Sequence, residues 1–178
     1  MDLGILEDDQ SQEVIDLFER VFSDSEGNAE GQTIRNLVRD LISTTPDPNL
    51  FGYIASEQER VIGSIFFSRL TFENGSTSFI LSPVAVDTNC QGKGVGQKLI
   101  TFGIEQLRSR GVDLVFTYGD PKFYSKVGFK QISETHIKAP LKLSQPEGWL
   151  AQSLKSDTIG SISGKSSCVE ALNNQEYW

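Results

Sequence analysis

Phe79-Ile-Leu-Ser-Pro-Val-Ala-Val-Asp87 runs without a break into Thr88-Asn-Cys-Gln-Gly-Lys-Gly-Val-Gly96 and then into Gln97-Lys-Leu-Ile-Thr-Phe-Gly-Ile-Glu-Gln-Leu-Arg108. The first part is apolar and β-branched and ends at Asp87, Thr88 and Asn89, which reads as a strand and its stop. The last part carries Leu99, Ile100, Phe102, Gly103, Ile104 and Leu107 on or beside one helical face. Between them Gly92, Gly94 and Gly96 leave the backbone bare at the helix entrance. A helix N-terminus presents unpaired N–H groups and about half a positive charge, which suits a phosphate. Glycine lets that phosphate approach and tolerates positive φ. Strand, glycine loop and helix together predict a pyrophosphate cradle.

Two familiar phosphate loops do not fit. The dinucleotide fingerprint G-x-G-x-x-G fails because Gln97 stands where its third glycine belongs, and no Gly-Lys pair is followed by Ser or Thr as a P-loop requires. What fits is Gln91-Gly92-Lys93-Gly94-Val95-Gly96, a Q/R-x-x-G-x-G/A pattern after a strand ending Val-Ala-Val. This resembles the coenzyme A loop of the GNAT superfamily of acyl-CoA-dependent N-acetyltransferases. Further on, past a turn at Gly111 and an apolar strand over Val112 to Tyr118, Phe123-Tyr-Ser-Lys-Val-Gly-Phe129 resembles the family's second signature, an F-Y-x-x-x-G-F corner.

The resemblance implies an α/β fold of mixed α+β type. Its sheet is largely antiparallel, with a splayed central strand pair and helices on both faces. It implies transfer of an acetyl group from acetyl-CoA to a primary amine, on a small molecule or a protein, by direct attack through a tetrahedral intermediate, with coenzyme A as co-product. By the same resemblance Val84, Ala85 and Val86 bind the pantetheine arm. An N–H of Val84 or Ala85 polarises the acyl carbonyl, and Gln91, Gly92, Lys93, Gly94, Val95, Gly96 and Gln97 hold the pyrophosphate. Tyr124 matches the family's general acid; its ordinary pKa is about 10, so it carries a proton to give at neutral pH. Many members carry an asparagine at the position that Thr117 occupies here. Pro83 has no N–H and interrupts the hydrogen bonding of its strand. Asp120 and Pro121 read as N-cap and first residue of a short helix, which makes Asp120 structural rather than a base.

Outward from this centre, Leu3 to Leu6 reads as a first strand, and Glu7, Asp8 and Asp9 place acids where a helix begins. Val14, Ile15, Leu17, Phe18, Val21 and Phe22 follow at helical spacing, Ser23 to Asn28 reads as a loop, and a second helix runs from about Gly31 to Ser43. Leu50 to Ala55, Val61 to Phe72 and Thr77 to Asp87 form a meander, the last two joined through Asn74-Gly75, a strong hairpin signal. After Phe129 the pattern loosens. Gln131 to Ile137 and Trp149 to Leu154 are strand candidates, and Trp149 or Trp178 is expected to pack on the body. The chain reads as one domain over 1–178, with 131–178 a C-terminal extension of it.

The net charge of −8 argues against a nucleic-acid surface. Residues 91–130 hold seven basic residues against three acids, a local excess that suits a polyanion inside an acidic chain. No apolar run is long enough to span a membrane, and no secretory core stands at the N-terminus. Cys90 and Cys168 make no disulfide framework, which predicts a cytoplasmic protein. With His136 the only histidine, no metal site is expected. Nothing selects a general base: Phe79 to Val86 holds no carboxylate or histidine, and Glu26, Glu30 and Glu73 compete with a water chain. The expected partner is a small-molecule or peptide amine acceptor; a homodimer is compatible with this reading, and the chain does not fix its oligomeric state. A member that binds acyl-CoA as a sensor without turnover, and an unrelated nucleotide-binding domain, remain as competing readings.

Overall fold

In the computed structural model, which describes residues 1–178, the sequence periods become elements. They are β1 (Asp2–Ile5), α1 (Ser11–Glu26), α2 (Asn28–Thr44), β2 (Leu50–Glu57), β3 (Arg60–Phe72), β4 (Ser78–Val86), α3 (Val95–Ser109), β5 (Leu114–Tyr118), α4 (Pro121–Tyr124), β6 (Lys130–Gln131), β7 (Trp149–Ser153) and β8 (Ser166–Ser167). Strand order is β1-β2-β3-β4-β5-β7-β6, with β8 beside β3. Antiparallel pairs join β1 to β2, β5 to β7 and β6 to β7, whereas β4 and β5 run parallel. This is the mixed, mostly antiparallel sheet expected. Residues group into two compact units, 1–67 with 83–103, and 68–82 with 104–178.

In the first unit the alternation of β3 sorts its aromatic residues to opposite faces. Phe66 meets Phe18 of α1 at 5.9 Å between ring centroids. On the other face a Cβ added to Gly103 of α3 would lie 2.6 Å from Phe67, 3.0 Å from Ile65 and 3.1 Å from Tyr53. Gly103 is therefore what lets α3 lie down on the strands, and the layering is helix, sheet, helix. Val14, Leu17 and Phe18 of α1 and Leu37, Val38 and Leu41 of α2 are buried, as their spacing predicts. Ser23 to Asn28 departs from expectation. Helix α1 continues to Glu26, and Gly27 alone, at φ 98°, turns the chain into α2. The polar run is an exposed helical face, which composition alone reads as a loop.

The second unit is centred on aromatic rings. Phe116 of β5 stacks on Trp149 of β7 at 5.1 Å and leans on Phe72 at 5.3 Å. Trp178 lies 6.3 Å from Trp149 and stacks on Tyr118, its indole N–H donating to the Leu172 carbonyl, so both tryptophans are buried. The Asn74-Gly75 turn forms as read, with Gly75 N–H donating to Phe72 O and Asn74 Oδ1 accepting from Ser76 N–H. The strand expected over Gln131 to Ile137 shrinks to β6. Beyond it the amides of His136 and Ile137 turn back to Ser133 O, and Ile137 makes only a single bridge to Ile162.

Candidate active site

β4 changes its allegiance midway. Thr77 O accepts from Asp113 N–H, and Ser78 to Leu81 are in register with Leu114 to Thr117 of β5. Leu81 O likewise faces β5, accepting from the Thr117 hydroxyl at 2.9 Å. Residues of one parity on a regular strand direct their N–H and C=O to one edge, so Asp87 N–H should face β5 too. Instead it donates to Ile62 O of β3 at 2.8 Å, and a Cβ on Gly63 of β3 would lie 3.4 Å from Ala85 O. The alternation has slipped by one between Leu81 and Ala85, where buried Pro83 sits with no N–H to offer. Past the slip, Ala85 faces β3, while Val84 and Val86 face the opposite edge. The β4–β5 register ends before them, and Gln91 covers the Val86 carbonyl with an Nε2–H bond of 3.0 Å.

The glycine loop hangs from Asp87. This carboxylate is 3 % exposed and accepts from Asn89 N–H at 3.0 Å, Arg20 at 3.1 Å and Arg60 at 2.7 Å. Burial pushes its pKa up, but the Asn89 amide and the two guanidinium groups outweigh it and hold the group below the ordinary carboxylate value. A 3₁₀ turn over Thr88–Cys90 follows, pinned by Thr88 Oγ1–H to Asp24 at 2.8 Å. Gly92 and Gly94 adopt φ of 73° and 78°, and a Cβ at either would meet nothing within 4 Å. Conformation rather than crowding calls for glycine there, and the space above the loop is open. Lys98 is the first α3 residue whose amide reaches a carbonyl, that of Gly94, so the Val95, Gly96 and Gln97 amides stand at the open helix end. An anion fits this arrangement. Lys93 folds back, its Nζ donating to Asn89 O at 2.9 Å.

Tyr124 closes α4. Asp120 caps the helix by accepting from Lys122 N–H at 2.9 Å, and Pro121 occupies its first turn as expected. The Tyr124 ring stands edge-on to Phe123 and Phe129, at 5.0 and 5.7 Å. It also lies over Gly119, where an added Cβ would come within 2.7 Å of Cε2. Burial pushes the phenol up to about 12, against a lowering hydrogen bond from Thr117 and with a small addition from Asp120. His136 is exposed, and Cys90 and Cys168 are half-buried free thiols, Cys168 pushed up by burial.

Val84, Ala85, Val86 and Gln91 to Gln97 belong to the first unit and Tyr124 to the second. The sequence missed the slip itself and the two arginines on Asp87. Pro83 was the available signal for the slip. Arg20 and Arg60 lie 67 and 27 residues from Asp87, and no local pattern points to them.

Against known proteins, the model of the acetyltransferase (GNAT) domain matches residues 48–131. The uncharacterized N-acetyltransferase YjhQ of Escherichia coli K12 is 30% identical over 141 residues, 76% of this chain and 77% of that protein. Among solved structures, the GNAT family N-acetyltransferase YhbS of Escherichia coli, in complex with CoA, superposes with a TM-score of 0.82 at 25% identity, over 98% of this chain and 92% of that one. A GNAT family acetyltransferase from Brucella melitensis, in complex with acetyl-CoA, superposes at 0.74 with 22% identity, covering 97% of each chain.

Proposed function

The chain belongs to the GNAT family of N-acetyltransferases, and from that premise we propose that it moves an acetyl group from acetyl-CoA to a primary amine, on a small molecule or a protein, by direct attack. It is an acyl-CoA-dependent N-acyltransferase. Acetyl-CoA supplies the acyl group already activated as a thioester, with coenzyme A as co-product; the protein positions, polarises and moves protons. The amides at the open end of α3, with the bare loop from Gln91 to Gly94, take the pyrophosphate. Val84, through its N–H and C=O, and Val86, through its N–H, take the pantetheine arm. The parity of β4 favours Val84 over Ala85 as the donor to the acyl oxygen, a contribution of ~3–4 kcal/mol for a preorganised donor. Tyr124, un-ionised at neutral pH, protonates the departing thiolate. The acidic chain favours a cationic acceptor, and the two free thiols fit a cytoplasmic setting.

The observation that carries this reading is the slip of β4 at Pro83, which turns backbone donors away from β3 immediately before an anion-receptive helix end. The test is release of free thiol from acetyl-CoA across spermidine, tyramine, kanamycin and a lysine-containing peptide, beside melting curves with acetyl-CoA, ATP and NAD. Stabilisation by acetyl-CoA alone and thiol release with at least one amine support it. Stabilisation without any release means a binding protein. Stabilisation by ATP or NAD in place of acetyl-CoA overturns the reading.

A further inference from the structure

Every oxygen of Asp87 holds a partner. Oδ2 accepts from Arg20 of α1 at 3.1 Å and from Arg60 of β3 at 2.7 Å, Oδ1 accepts from Asn89 N–H at 3.0 Å, and the main-chain oxygen accepts from Cys90 N–H at 2.7 Å. Asp87 therefore fixes both peptide planes that flank Asn89, the earlier one through its carboxylate and the later one through its carbonyl. In a trans peptide the C=O points away from the N–H, so the Asn89 carbonyl is turned away from Asp87. Lys93 Nζ donates to that carbonyl at 2.9 Å. An ammonium has three hydrogens, and this bond takes one. Lys93 is exposed between Gly92 and Gly94, so the other two are available to an anion. The carboxylate is itself held from outside the loop. Arg20 lies on α1, and Asp24, four residues further along the same helix face, accepts from the Thr88 hydroxyl at 2.8 Å. Asp87 is 3 % exposed, whereas the Arg20 and Arg60 side chains are 46 % and 60 % exposed, so Arg20 can be changed while Arg60 still balances the carboxylate.

We propose that Asp87 is a positioning residue for the cofactor: held by Arg20 and Arg60, it shapes the Thr88–Cys90 turn so that the Asn89 carbonyl sets the Lys93 ammonium for the diphosphate of acetyl-CoA. The proposal rests on the reading of Gln91 to Gln97 as the pyrophosphate loop. It concerns capture of the donor through its phosphates and leaves the transfer step to other residues.

The experiment is a double-mutant cycle in the full chain, with whichever of the four amines above releases thiol fastest. It measures kcat and KM for acetyl-CoA, and kcat/KM for S-acetylpantetheine, which has the same thioester and no phosphate. Asp87→Ala raises KM for acetyl-CoA by ~5-fold or more with kcat within ~3-fold, and leaves kcat/KM for S-acetylpantetheine within ~2-fold. Lys93→Met keeps the aliphatic stem, removes the ammonium and raises KM for acetyl-CoA at least as much. In that background Asp87→Ala adds less than ~2-fold, because the group it acts through is gone. A rise in KM from Asp87→Ala that persists undiminished beside Lys93→Met overturns the proposal. An equal loss with both donors also overturns it, since a collapsed loop would not distinguish them. If Asp87→Ala does not fold, Arg20→Gln decides: it raises KM for acetyl-CoA by ~3-fold and Arg20→Lys restores it, whereas an unchanged KM in Arg20→Gln sinks the positioning role. No thiol release by the parent with any amine removes the acyltransferase reading itself. An unchanged KM in Asp87→Ala beside a raised KM in Lys93→Met removes only the role of Asp87.

Discussion

Burial of the Tyr124 phenol keeps it protonated far above neutral pH, and the ring packing leaves the hydroxyl as its one adjustable part. Tyr124→Phe therefore removes a proton without changing the packing. Turnover should fall by ~10²-fold or more while acetyl-CoA affinity stays nearly unchanged, as read by steady-state kinetics. The raised pKa also has a stability consequence. The folded state favours the neutral phenol, so its contribution is complete below the unfolded value of ~10 and is lost as pH rises through about 12. In absorbance titration, the phenolate signal missing from Tyr124→Phe should be the one appearing near pH 12; a missing signal near pH 10 would mean the phenol is hydrated. At this scale the sequence was informative wherever the chemistry is local. Asp120 capping its own helix, and the glycines at positive φ, follow from neighbours along the chain. Thr117 bonding Leu81, 36 residues away, does not, because strand pairing is settled by the whole sheet.

Among the elements, α3 has both the open N-terminal end proposed for the pyrophosphate and, at Gly103, a close-packed contact with the sheet. Gly94 adopts φ 78° with open space above it. Gly94→Glu sets a carboxylate where an anion should sit and strains the turn. Melting curves should then show no stabilisation by acetyl-CoA, whereas retained stabilisation would place the cradle elsewhere. Gly103 is close-packed rather than conformationally special, so Gly103→Ala forces Phe67 or Ile65 aside and should cost ~1–3 kcal/mol in chemical denaturation. Helix faces and the hairpin were legible because they repeat at 3.6 or 2 residues. The end of α1 was not, since Ser23, Asp24 and Ser25 compose a loop as readily as an exposed helical turn. The slip in β4 was half legible: Pro83 marks a break in hydrogen bonding, but which residues turn to which edge depends on β3 and β5.

For the molecule as a whole, acid should be more damaging than its charge suggests. Asp87 lies below its ordinary pKa because the Asn89 amide, Arg20 and Arg60 outweigh its burial, and Asp113 because Lys155 and the Thr77 amide bond it. Both contribute fully above the unfolded value of ~3.9 and lose that contribution as pH falls through their lower folded values. Melting temperature should therefore drop steeply below about pH 4, and Asp87→Asn should flatten part of that decline. An unchanged slope in the variant would mean the two arginines do little. No helix is long and apolar enough to cross a membrane.

The face-to-edge contact of Trp149 and Trp178 gives the protein a built-in reporter with a narrow view. These are the only tryptophans, and both lie in the second unit, whereas α1 and α2, which dominate the far-ultraviolet ellipticity, lie in the first. Emission and circular dichroism thus watch different parts of one chain. Because β3, β4 and α3 contribute residues to both units, we expect the two signals to change at one denaturant concentration. A red-shifted emission appearing while the ellipticity is still intact would instead reveal a half-molten species in which the aromatic cluster has opened and the glycine-loop half has not.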